Sequence, residues 1–325
     1  MAFSVILVTF LVLAIIIAFG IGANDETFAG IYGSRILNMK YILILATIFT
    51  ITGAFILGET VSKTVGKGIL GPPPPQEDLD YATVITILIS TAIWLILSSA
   101  LGLPISTTHA TIGAVIGLGI IIPNASLNLL KITELSIWWI LSPIIGYIVS
   151  FFVFKLMQKY KVKHLNGFQS LEKNEKIFTY IVLIVICITA FSRSGNDCSN
   201  AVGIVVGVGE IQINILLIIT GLSLAGGLIV LGRGVIKSVG KITELYPSTA
   251  FAAQIPTAAI LFLGTALGIP LSGSHMLVAS FVGLSKASYT PTKKGLWKIV
   301  LIWFLTFPMA AFFSILLYFP VNAII

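Results

Sequence analysis

The chain has 325 residues, 57% of them hydrophobic and only 10% charged, with a formal net charge of +7. Its mean hydropathy is +1.06, more apolar surface than a soluble domain of this length needs, so a large water-soluble helical protein is excluded. The basic balance does not indicate nucleic acid, because the lysines fall in short loops between apolar runs, where they orient membrane spans.

Ten apolar segments follow one another, at about 2–21, 38–58, 82–101, 104–122 and 134–157, then 177–192, 211–231, 249–268, 270–284 and 297–320. About 20 apolar residues suffice to cross a bilayer. The first segment lacks a Lys/Arg-rich leader, so it reads as a span rather than a cleaved signal. Several segments are short or interrupted by Gly and Pro.

The halves repeat each other. Gly22-Ala23-Asn24-Asp25 recurs as Ser194-Gly195-Asn196-Asp197, the stretch from Val61 to Lys67 as Val235 to Lys241, and Leu101 to His109 as Leu267 to His275. The offsets are 172, 174 and 166 residues, so a single unit has been duplicated. The expected fold is therefore an all-α polytopic membrane protein. It has two inverted-topology repeats of about five apolar segments each, with broken or re-entrant helices near the midplane. The expected division is residues 1–158, a basic linker 159–176, and residues 177–325.

Six lysines between Lys155 and Lys176 place that linker in the cytoplasm, and both termini outside it. Arg35, Lys40, Arg233, Lys237, Lys241, Lys286, Lys293, Lys294 and Lys298 then fall inside, and Glu77, Asp78 and Asp80 outside. Lys63 and Lys67 fall outside, against the rule. Gly71-Pro72-Pro73-Pro74-Pro75 reads as a stiff external link with no second copy.

Two duplicated motifs carry the chemistry. Carboxylates inside apolar segments are costly to desolvate and persist when they pair with a cation. Asn24, Asp25, Asn196 and Asp197 offer a hard-oxygen set suited to a small cation such as Na⁺, with Gly22 and Gly195 able to free backbone groups. Pro104 followed by Ser106-Thr107-Thr108, and Pro270 followed by Ser272-Gly273-Ser274, each read as a helix restarting inside the membrane. Free amides, hydroxyls and the positive dipole end make such a start an oxyanion site. His109 and His275 match between copies and read first as packing groups, with proton relay or anion contact as the alternative. Glu59 and Glu210 read as span-end residues, and Gln254 first as a packed intramembrane amide, with lining of the path as the alternative; Arg35 and Arg193 read first as snorkelling anchors, with offsetting of anion charge as the alternative. Cys187 and Cys198 do not match between repeats, so no disulfide is expected.

These motifs resemble the inorganic phosphate transporter (PiT) family, which also contains sulfate permeases. The resemblance rests on Gly22-Ala23-Asn24-Asp25 and Pro104-Ile105-Ser106-Thr107-Thr108-His109. It extends through Gly195-Asn196-Asp197, Ser199-Asn200-Ala201, Gly232-Arg233 to Ala253, and Pro270-Leu271-Ser272-Gly273-Ser274-His275. It implies secondary active uptake of phosphate with Na⁺ or H⁺ as coupling ion. Anion contacts would fall on Ser106, Thr107, Thr108, Ser272 and Ser274, with Gly273, Asp25 and Asp197 beside them. Cation contacts would fall on Asn24, Asp25, Asn196 and Asp197, and two hairpins would re-enter the membrane. Two departures stand out: Gly273 takes the place of a threonine, and Glu26-Thr27-Phe28-Ala29 replaces a run of small residues.

Expected partners are inorganic phosphate and the lipid bilayer, with room for a homodimer; no cofactor and no enzymatic activity are expected. A sulfate permease of the same architecture and an anion channel are the alternatives, and the cell membrane is the expected location.

Overall fold

The computed structural model describes residues 2–71, 79–100, 104–164, 168–206, 212–292 and 296–325. Most of the proline link after Gly71, Glu77, Asp78, Glu210, Lys293 and Lys294 lie outside these residues, as do Leu101 to Leu103 at the start of the first Pro-Ser motif.

All ten expected segments are helical. The first half contains α1 (Ala2–Ala23), short α2 (Ala29–Gly33), α3 (Met39–Lys67), α4 (Tyr81–Ala100), α5 (Thr107–Ile121) and α6 (Leu129–His164). The second contains α7 (Phe168–Val206), α8 (Ile213–Gly227), a π-helical turn (Leu228–Gly232), α9 (Arg233–Val239), α10 (Pro247–Ala266), α11 (Gly273–Ser288) and α12 (Leu296–Ile324). Among the described residues, eight helical stretches are long and apolar enough to cross a membrane, with α8, the π turn and α9 counted as one. This is a multi-pass membrane protein. The lysines between Lys155 and Lys176 sit on the end of α6 and the start of α7.

Packing partners recur with the halves exchanged. Helix α1 packs on α8 as α7 packs on α3, α1 on α4 as α7 on α10, and α5 on α12 as α11 on α6. The last pairing interleaves the halves, since each closing helix lies on the other half's broken helix. Large side chains such as Ile140 and Phe304 on α6 and α12 face outward, as lipid contact requires.

Glycines set the closest crossings. A Cβ at Gly227 would lie 1.9 Å from the Phe19 carbonyl oxygen, and one at Gly53 would lie 2.0 Å from that of Phe191. Gly22 meets Leu224 on the α1–α8 crossing, and Gly195 meets Leu57 on the α7–α3 crossing. The two motif glycines therefore serve close helix approach. Gly227→Ala must push α8 off α1, and such overpacking costs about 1–3 kcal/mol or more. A lower unfolding temperature in detergent is the expected result, and an unchanged one would contradict this packing.

Both broken helices belong to hairpins that leave on the side where they start. A two-residue strand before α4, β1 (Leu70–Gly71), pairs antiparallel with β2 (Ser126–Leu127), which follows α5. Thr243, before α10, bonds Thr290, after α11, at 2.9 Å between hydroxyls. On that second side, Arg35, Lys241, Glu244 and Tyr246 line one cavity of about 680 Å³. Lys161 and Glu175 meet Ser248 there as well, with the Ser248 amide 2.9 Å from Glu175 Oε2. The loops that the charge count assigned to one side thus come together.

Candidate substrate and cation site

The two helix restarts are built by local chemistry. Pro104 and Pro270 have no N–H to continue a helix. Ser106, with φ −84° and ψ 109°, caps α5 by accepting the His109 amide at 3.2 Å. Ser272, with φ −95° and ψ 98°, caps α11 by accepting the His275 amide at 3.3 Å. Each cap satisfies one of the orphan amides of the first turn.

The Asn-Asp motifs hold the hairpin tips just before these caps. The Ile105 amide donates to Asn24 Oδ1 at 3.1 Å, and the Leu271 amide donates to Asn196 Oδ1 at 2.9 Å. Asn196 Nδ2 also donates to the Leu271 carbonyl at 2.8 Å. The same two residues that the sequence singles out thus brace the same position in each half. The backbone around them differs: α1 ends at Ala23, whereas α7 runs unbroken through Asn196 and Asp197 to Val206. Asp25 instead closes a turn, accepting the Thr27 amide at 2.8 Å and its hydroxyl at 2.6 Å on Oδ1.

Tryptophans clamp the tips from the opposite half. Trp139 Nε1 donates to the Pro270 carbonyl at 3.0 Å, and Trp303 Nε1 to the Pro104 carbonyl at 3.1 Å. Between them Trp139, His109, His275 and Trp303 form a continuous row of rings, with centroids 4.4, 4.7 and 4.2 Å apart. His109 Nδ1 also meets the Ser106 hydroxyl. Sequence reading passed over both tryptophans, whose partners lie more than a hundred residues away.

The hydroxyls and carboxylates converge. Thr107 Oγ1 donates to Asp197 Oδ1 at 3.2 Å, Thr108 Oγ1 to the Leu271 carbonyl at 3.1 Å, and Asn200 Nδ2 reaches both hydroxyls at 3.3 Å. At the centre lies Arg193. Its Nε is 3.0 Å from Asp197 Oδ2 and 3.6 Å from Asp25 Oδ1, its Nη1 is 2.8 Å from Glu26 Oε1, and its Nη2 is 3.0 Å from Ser274 Oγ. Asp25, Glu26, Arg193 and Asp197 are all buried, Glu26 completely.

Arg193 therefore corrects the first of its two sequence readings. It is not a snorkelling anchor at a span end, because α7 extends well past the expected end at residue 192 and the guanidinium turns inward to three carboxyl groups. Arg35, its supposed counterpart, is exposed in a loop. Gly273 also gains a physical reason: a Cβ there would lie 3.1–3.2 Å from the Arg193 side chain.

Among the described residues, no three His, Cys, Asp or Glu side chains group closely enough to hold a metal ion. A cation here would depend on amide and backbone oxygens besides the aspartates. Glu26 Oε2 and Asn200 Oδ1 are buried polar atoms with no partner among the described residues. Gln254 is likewise buried with both ends of its amide unpartnered.

A polytopic helical protein with two broken helices aimed at one buried polar centre has the architecture of a membrane transporter. The comparisons make that specific: residues 21–314 match the model of the phosphate transporter family, and the chain belongs to that family. A protein of Thermococcus kodakarensis named "Putative phosphate permease" is 29% identical, covering 95% of this chain and 97% of its own. A Chlamydia pneumoniae protein of the same description is 28% identical, covering 94% and 96%. A solved structure described as "The sodium-dependent phosphate transporter" has the same fold, with a TM-score of 0.86, 24% identity and coverage of 99% and 100%.

Proposed function

We propose that the protein imports inorganic phosphate by alternating access, driven by a coupling cation. The observation that carries this reading is the meeting of both helix restarts at one buried cluster of hydroxyls and carboxylates. Helix N-termini lined by hydroxyls favour a tetrahedral oxyanion, and the aspartates favour a cation beside it. Without that cation the carboxylates repel the anion, and this repulsion is the basis of coupling. Na⁺ is the preferred ion, in keeping with the description of the solved fold relative. Asn24, Asp25, Asn196 and Asp197 are its proposed ligands. Thr107, Thr108, Ser106, Ser272 and Ser274 are the proposed phosphate ligands, with Gly273 leaving the approach open.

Each half contributes three net crossings in this reading, because each hairpin returns to its own side. Three is odd, so the repeats are inverted. The basic side bearing Lys161, Arg35 and Lys241 faces the cytoplasm, and both termini face away from it.

Thr107→Val and Ser274→Ala each remove one hydroxyl from the proposed cradle. Losing one hydrogen bond of about 1–1.5 kcal/mol raises the KM for phosphate roughly tenfold. Labelled-phosphate uptake into proteoliposomes measures this, and an unchanged KM in both variants would remove these residues from the site.

A further inference from the structure

We propose that Arg193 is a tethered cation of the transport site. Its guanidinium stands in the place beside Asp25 and Asp197 that a mobile cation would otherwise take, so one fewer coupling ion moves with each phosphate. The inference rests on the functional reading above.

Three departures from the internal duplication support it, and they meet at one point. By the repeat offset, Arg193 corresponds to Ile21, Glu26 to Cys198, and Gly273 to Thr107. In the structure Arg193 bonds Glu26 at 2.8 Å, and Gly273 is where a Cβ would lie 3.1–3.2 Å from Arg193. The cation, an added carboxylate and the room for both thus occur together. The positions that correspond to Arg193 and Glu26 hold Ile21 and Cys198, both buried. Packing there needs no charge, so a purely structural role does not account for the ion set here.

Position gives the group its role. Nε lies between the aspartates of the two duplicated motifs, while Nη2 donates to Ser274 Oγ on the anion side at 3.0 Å. A guanidinium is always charged and holds several acceptors in a fixed fork, which suits a permanent counter-ion joining carboxylates to an oxyanion. Glu26 anchors it without using either aspartate.

The test is the ratio of coupling ions to phosphate. It is read from the reversal potential of uptake in proteoliposomes made with the full chain, Na⁺ and inorganic phosphate. The double variant Arg193→Gln/Glu26→Gln removes a cation and a carboxylate together, so the formal charge of the site is kept. Gly273→Thr crowds the Arg193 side chain, whose atoms lie 3.1–3.2 Å from the new Cβ, while keeping all four charged groups, a second route should the double variant misfold. The ratio is expected to rise by one in each, and Arg193→Lys to keep the wild-type ratio. Wild-type ratios in both the double variant and Gly273→Thr would overturn the inference while leaving phosphate transport standing. A wild type that accumulates no phosphate would overturn the functional reading, and this inference with it.

Discussion

Asp197→Asn is expected to abolish gradient-driven phosphate uptake while leaving a protein that still inserts in the membrane. Asp197 is the junction of the site: Oδ2 faces Arg193 Nε at 3.0 Å, Oδ1 accepts from Thr107 at 3.2 Å, and both motifs meet there. The amide keeps the shape and loses the charge. With the charge go one proposed cation ligand and the carboxylate that both Arg193 Nε and the Thr107 hydroxyl meet. Asp25 and Glu26 still face Arg193, so the helices hold together and the loss falls on coupling. Uptake at the wild-type rate and gradient dependence would remove Asp197 from the mechanism.

The second large effect concerns a brace. Asn196→Ala removes both bonds to the tip residue Leu271, at 2.9 and 2.8 Å. The Leu271 carbonyl keeps the Thr108 hydroxyl at 3.1 Å, but the buried amide is left without an acceptor, at about 1–3 kcal/mol. Ser272 follows directly, so the start of α11 loses its position and phosphate affinity falls with stability. In the other half, Asn24→Ala removes the bond to the Ile105 amide at 3.1 Å. A lower unfolding temperature is expected for each variant, and unchanged values in both would contradict the bracing role.

Helix breaks were legible because they are local. Pro104 and Pro270 stop a helix, Ser106 and Ser272 cap the next one, and three or four residues contain the whole argument. The Asn-Asp motifs announced themselves by recurring where an apolar segment should not carry a carboxylate. What they touch was not legible. Asn24 braces Ile105 and Asn196 braces Leu271 across 81 and 75 residues, distances over which sequence pattern carries no pairing signal.

Arg193 was misplaced for a related reason. The polar run Ser192 to Asn200 lowers local hydropathy, so the span looked finished at residue 192. Its partners Glu26 and Ser274 compensate the charge from 167 and 81 residues away. Gly273 read as a lost hydroxyl, because the side chain that needs its space could not be seen from position 273. Trp139 and Trp303 drew no reading at all, because only the interleaving of α6 and α12 with the opposite half's hairpin gives them a carbonyl to bind.

The central claim, cation-driven phosphate import, is tested most directly by labelled phosphate uptake into proteoliposomes. The gradients are inward Na⁺, a proton gradient, or neither, with excess unlabelled sulfate as competitor. Accumulation above equilibrium under the Na⁺ gradient, unaffected by sulfate, is the predicted result. Equilibration without accumulation under every gradient, as a passive anion pore would give, would contradict it.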